Sequence, residues 1–320
     1  MLHEAFWLDC TDAAPLYVNR WYAEQPPKAV LMVSHGMAEH SGRYARFAQA
    51  LVAAGFELYA HDQRGHGKTA EHGVLGLYAE HDGWNLVVGD LARLNHHIRQ
   101  QHPQAPIFLL GHSMGSYIAQ AYLMQHSCSL QGAILSASNY QPMALYRAGL
   151  LLARFERWRQ GPNGRSALLD FASFGSFNKA FKPNRTAFDW LSRDPAEVDK
   201  YVGDPLCGFR CVNQLWVDLF GGFLQITPVD NLAQIDSSLP LLVIGGSRDP
   251  VSDGTRQQDL ANALRAAGNL HVQLKLYPEA RHELLNESNR DEVTAYIIDW
   301  LQQALGHARQ CHPKHQESPL

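Results

Sequence analysis

The stretch Ile107-Phe108-Leu109-Leu110-Gly111-His112-Ser113-Met114-Gly115 decides the fold. Its first four residues are apolar and closed by glycine, the pattern of a buried strand. Met114 to Gln125 then continues with helical spacing. A serine between two glycines at a strand-to-helix junction is the signature of a sharp, strained turn that leaves its hydroxyl exposed. The glycines have a steric reason, because a Cβ at Gly111 or Gly115 would strike the neighbouring strand or helix backbone in so tight a turn. As a bare pattern Gly-x-Ser-x-Gly is common, and the strand before it and the helix after it give it value.

Outward from this turn, further short apolar runs read as buried strands: Ala29 to Ser34, Phe56 to His61, Gly132 to Ala137, Leu241 to Gly245 and Val272 to Tyr277. Helical patterns alternate with them at Tyr44 to Ala54, Trp84 to Gln101, Gly254 to Ala267 and Arg290 to Ala304. This alternation predicts an α/β fold, a mostly parallel central sheet flanked by helices on both faces. Phe6 to Tyr22 is expected to add antiparallel edge strands. The interval 139–230 breaks the rhythm. It has no core strand but carries aromatic-rich helical patches at Met143 to Trp158, Leu168 to Phe181 and Val212 to Ile226. The expected organisation is a core in two parts, 1–138 and 231–305, with 139–230 inserted as a helical cap and 306–320 as a disordered tail.

With 320 residues, 46% of them hydrophobic and 18% charged, the chain can bury a large core and is not a disordered sequence. A formal charge of -4 gives no reason to expect a nucleic-acid partner. Five scattered cysteines lack the paired spacing of a zinc site and read as reduced thiols. The beginning, with Glu4, Asp9 and Asp12, lacks the basic start of a secretory signal, and no run of about 18 uncharged apolar residues occurs. The location expected is cytoplasmic, with peripheral contact at the inner face of the membrane through the cap.

A serine hydroxyl is a weak nucleophile until a base takes its proton, so an acid and a histidine should follow Ser113 in that order. Asp249 stands just beyond the strand Leu241 to Gly245, and His282 just beyond Val272 to Tyr277. Both would lie at the carboxyl edge of the sheet. The roles expected are attack by Ser113, proton transfer by His282 and orientation of the imidazole by Asp249. Asp253 is the alternative carboxylate, explained instead as a cap beside Gly254 at a helix start. The oxyanion needs two backbone donors, for which Met114 and Met37 are the candidates, with Gly36 letting the second loop approach closely. No Cys, Asp or third His joins His35 and His40 at recognised spacing, so neither metal nor cofactor is expected. Gly65-His66-Gly67-Lys68-Thr69 imitates a phosphate loop, but Asp62 occupies the place of its first glycine, so it reads as a structural loop.

Taken together, these segments resemble the monoacylglycerol lipase and lysophospholipase group of α/β hydrolases over most of positions 6 to 304. The resemblance is carried by Glu39-His40-Ser41-Gly42-Arg43-Tyr44, by Asp62, Gly65, His66 and Gly67, and by Gly111-His112-Ser113-Met114-Gly115. It implies the triad Ser113, Asp249 and His282 and the oxyanion amides of Met37 and Met114. It also places Glu39 and Arg43 near a polar head-group pocket, where the alternative is an ion pair that supports the loop. The implied substrate is a single-chain lipid ester cleaved through an acyl-serine. A short-chain carboxylesterase or thioesterase would carry the same triad, whereas a noncatalytic binding protein on this fold would be expected to lose part of it. Acyl length, head group and oligomeric state are not written in these motifs.

Overall fold

The computed structural model describes residues 1–9 and 14–306. In chain order the elements are β1 (Leu2–Leu8), β2 (Leu16–Tyr22), β3 (Val30–Ser34), α1 (Ala45–Ala53), β4 (Glu57–His61), α2 (Gly83–Gln101), β5 (Ile107–His112), α3 (Met114–His126), β6 (Gly132–Ser136), α4 (Met143–Gln160), α5 (Ala167–Phe174), α6 (Pro195–Gly203), α7 (Asn213–Ile226), α8 (Val229–Leu232), β7 (Leu241–Gly246), α9 (Arg256–Ala266), β8 (Val272–Tyr277) and α10 (Arg290–Leu305). The eight strands form one sheet in the order β1-β2-β4-β3-β5-β6-β7-β8. β1 and β2 join antiparallel, and every pair from β4/β3 to β7/β8 is parallel.

Strand side chains alternate between two cores. Val30, Met32, Leu109 and Leu135 belong to the core shared with α2, α3, α7 and α9. Leu31, Val33, Leu110 and Ile134 belong to the other, shared with α1 and α10. A strand covered on both faces has no reason to be polar at alternate positions, which is why β3, β5, β6 and β7 are buried throughout. The stretch after β4 turns at Gly65 and enters a short 3-10 helix at Gly67–His72. Asp62 accepts from Ser41 N–H at 2.8 Å and from Lys68 N–H at 2.7 Å, pinning the turn to the segment after β3.

Four expectations need amendment. The patch Leu168 to Phe181 is not continuous: α5 ends at Phe174, and a separate 3-10 turn covers Phe177–Phe181. Helix α6 was not anticipated, although Asp194 accepts from Ala196 N–H and Pro195 occupies its first turn, a regular start signal. Asp253 is not a helix cap, since α9 begins at Arg256 after Thr255, and Asp253 lies in the preceding turn at φ 49°. Cys128 is disulfide-bonded, so the reading of every cysteine as a reduced thiol fails there, while Cys207 and Cys211 are free. Cys10, Cys311 and the tail from 307 onward lie outside the described residues. Among the described residues, no helix is long and apolar enough to cross a membrane.

Candidate active site

The parallel strands all end on one edge, and the residues singled out from the sequence lie in the loops that leave it. Ser113 follows β5 at φ 51° and ψ -120°, a backbone conformation that L side chains seldom adopt. The turn is held because Ser113 N–H donates to Ser136 O at 2.9 Å and Ser116 N–H donates back to Ser113 O at 2.8 Å. It also depends on Gly115, where a Cβ would lie 2.0 Å from Ser34 O. α3 can therefore start directly against the end of β3.

Asp249 and His282 are brought together by the contact of two loops. Arg248 N–H donates to Ala280 O at 3.0 Å, and a Cβ at Gly246 would fall 2.1 Å from that same carbonyl. The crossing is possible only because Gly246 has none. His282 Nδ1 then meets Asp249 Oδ1 at 2.9 Å, with both residues buried. Val251 N–H donates to the same oxygen at 3.0 Å, fixing the carboxylate. Burial by itself lowers the His282 pKa, but the charge and hydrogen bond of Asp249, aided by Glu283 and Glu39, leave it above the ordinary histidine value. The Trp190 ring lies 5.0 Å from the imidazole on one side and the His112 ring 5.1 Å away on another.

Ser113 and His282 line one cavity of about 460 Å³, within the range of small-molecule sites. Gly36, Met37 and Glu39 form one wall, and the interval between β6 and β7 supplies Phe174, Phe188, Trp190, Leu191, Tyr201 and Phe209. Among the described residues Met37 N–H donates to no other group, and Met114, as first residue of α3, has no intrahelical acceptor. Neither amide has a hydrogen-bond partner among the described residues.

Glu39 and Arg43 also lie together. Arg43 Nη1 donates to Glu39 Oε2 at 2.7 Å, and the guanidinium forks onto both oxygens of Glu283, each at 2.7 Å. Glu39 is buried, and the Arg43 charge offsets the penalty of burial and holds its carboxyl at about 2. Glu283 was missed from the sequence, since nothing in the neighbour of a histidine shows that it will meet an arginine 240 residues away. A second surprise is His40, whose Nε2 lies 2.9 Å from Asp204 Oδ2. With Cys207 these residues offer three ligand atoms within 4.8 Å of one another, the kind of grouping a metal ion could use. His40 and Asp204 already satisfy each other, and burial pushes the Cys207 thiol well up, which keeps it protonated.

This sheet, with a serine elbow, a histidine and an aspartate at its carboxyl edge, defines an α/β hydrolase. The family model described as serine aminopeptidase, S33 (Hydrolase_4), matches residues 25–289, and the chain belongs to that family. It is 28% identical to the monoglyceride lipase of Rattus norvegicus over 293 residues, covering 87% of this chain and 86% of that one. It is also 28% identical to the monoacylglycerol lipase of Mycolicibacterium smegmatis, covering 88% and 92%. Among solved structures, a thermostable carboxyl esterase from Bacillus coagulans in complex with glycerol superposes with a TM-score of 0.88 at 26% identity, covering 95% of this chain and 99% of that one.

Proposed function

We propose that the protein hydrolyses carboxylic esters of single-chain lipids, monoacylglycerols or lysophospholipids, through an acyl-Ser113 intermediate. The observation that carries this reading is the shared cavity, in which a half-buried elbow serine and an Asp249-paired histidine face a wall of aromatic side chains. Ser113 Oγ attacks the ester carbonyl as His282 Nε2 takes its proton, and Asp249 holds the Nδ1–H tautomer and the imidazolium that forms. The oxyanion receives Met37 and Met114 N–H. His282 passes its proton to the leaving alkoxide, then draws one from water for deacylation, which returns Ser113 and the free acid. No metal or cofactor is needed for these steps.

The segment 139–230 acts in this reading as a cap over the acyl chain, since it supplies the apolar wall. Its helix α4 also supports peripheral contact with a lipid surface. Leu151, Phe155 and Trp158 are exposed there, Trp158 at 80%, among Arg147, Arg154, Arg157 and Arg159. The likeness to a carboxyl esterase favours a second reading, a short-chain esterase with the same triad. One experiment addresses both. The Ser113→Ala variant should lose ester turnover by at least about 10³-fold and all labelling by a fluorophosphonate. Retained activity would refute the acyl-serine. In the wild type, kcat/KM should rise from butyrate to longer esters of glycerol; a maximum at butyrate would select the short-chain reading.

A further inference from the structure

We propose that Glu39, Arg43, Glu283 and Tyr201 are positioning residues that hold the Gly36–Ala38 loop against Ser113 and in register with His282. The inference rests on the reading of Ser113 as nucleophile. Gly36 N–H donates to Glu39 Oε1 at 2.5 Å, and a Cβ at Gly36 would stand 3.4 Å from that of Ser113. The first end of the loop is thus tied by a carboxylate just beside the nucleophile. At the other end Ala38 adopts φ 52°, an unfavourable value for a residue with a Cβ. Its carbonyl is held by Tyr201 Oη–H at 3.0 Å and by Gly208 N–H at 2.9 Å. Met37, whose amide is free, lies between the two ties.

A single cation connects them. Arg43 donates to Glu39 and forks onto Glu283, and its guanidinium carbon lies 4.9 Å from the centre of the Tyr201 ring. Glu283 is the chain neighbour of His282, so the same cation fixes the loop after β3 relative to the loop after β8. The distance between oxyanion donor and general base is set through it. Every oxygen of the two carboxylates takes part. Glu39 Oε1 accepts from Gly36 N–H and Tyr44 Oη–H, its Oε2 accepts from Arg43, and Glu283 Oε2 accepts from both Arg43 and Asn286.

A head-group contact and a positioning role predict different kinetics. Loss of a head-group contact weakens only substrates that have that group. Misplacing an oxyanion donor lowers kcat for every ester, because the interaction strengthens only in the transition state. Glu39→Gln, Arg43→Lys and Glu283→Gln should each be assayed on a decanoyl glycerol and on nitrophenyl decanoate, which share an acyl chain but not a head group. Arg43→Lys keeps the charge and removes the fork. The expected result is a fall in kcat of about 10- to 100-fold on both esters by the same factor, with KM changed less than about 3-fold. A rise in KM confined to the glycerol ester, or wild-type kcat on both, would overturn the proposal. Where thermal melting shows that a variant has not folded, Tyr201→Phe carries the test, because it removes only the hydroxyl on Ala38 O, and a uniform several-fold loss of kcat is expected. Fluorophosphonate labelling separates this idea from its premise. If the wild type is not labelled, the Ser113 reading fails; if the wild type is labelled and folded variants react at the same rate, the clamp alone fails.

Discussion

His282 must be neutral to take a proton from Ser113, and its surroundings decide the pH at which it is. Burial opposes its charged form, while Asp249, Glu283 and Glu39 favour it, and the balance leaves the pKa above the ordinary histidine value. Raising the pKa of a base moves its active form to higher pH. The acid limb of kcat/KM should therefore have its midpoint above about 6.5, with activity gained as pH rises through it. Asp249→Asn should move that midpoint down and lower kcat by about 10⁴-fold, since the tautomer is lost together with the charge. A midpoint at or below that of free imidazole would contradict the geometry. At this scale the sequence was informative where chain order and strand ends sufficed, for Ser113, Asp249 and His282. Asp253 lies in the turn before α9, which starts only at Arg256. Glu283 was illegible because its partners come from a distant loop.

Elements were read well where burial dictates composition. The strands β3 to β7 are short apolar runs because both faces are covered, and their limits lie within a residue or so of those read from the sequence. The helices between β6 and β7 were read less well. They pack in part on one another, as Gly149 of α4 does on Phe220 of α7, so the apolar pattern does not show which face is inside. Helix α4 illustrates the difference between global and local charge. The chain carries -4 overall, yet α4 presents four arginines beside exposed apolar side chains, while its one acid, Glu156, is turned inward to Arg159 and Ser166. Anionic vesicles should sediment the protein more strongly than zwitterionic ones, and Leu151→Ser with Trp158→Ser should reduce that binding about tenfold or more. Equal sedimentation of wild type and double variant would remove α4 as the contact.

The whole molecule carries a cost at low pH that follows from where its histidines lie. His61 and His66 are fully buried, and desolvation, with the nearby His35, lowers each to about 3. In the unfolded chain they would titrate near 6.5, so between about 6.5 and 3 the unfolded state binds more protons. Stability is complete above that window and is lost as pH falls through it, by up to about 1.4 kcal/mol per pH unit for each histidine. Urea midpoints measured at pH 7.5 and 5.5 should differ in that direction, and His66→Gln should reduce the difference. A midpoint that does not change with pH would mean that these side chains are not desolvated in solution.

The sequence by itself determined the alternation of strand and helix, the elbow at Ser113 and the order of acid and base after it. These depend on local sterics, on burial and on position relative to strand ends, all of which a linear pattern records. Tertiary structure alone decided that Glu39, Arg43, Glu283 and Tyr201 meet, that His40 faces Asp204, and that aromatic side chains from the 139–230 interval close the cavity over Ser113. The bonds of Ala38 to Tyr201, His40 to Asp204 and Arg43 to Glu283 join residues 163, 164 and 240 positions apart, and their energies depend on distance and desolvation, which exist only once the chain has folded.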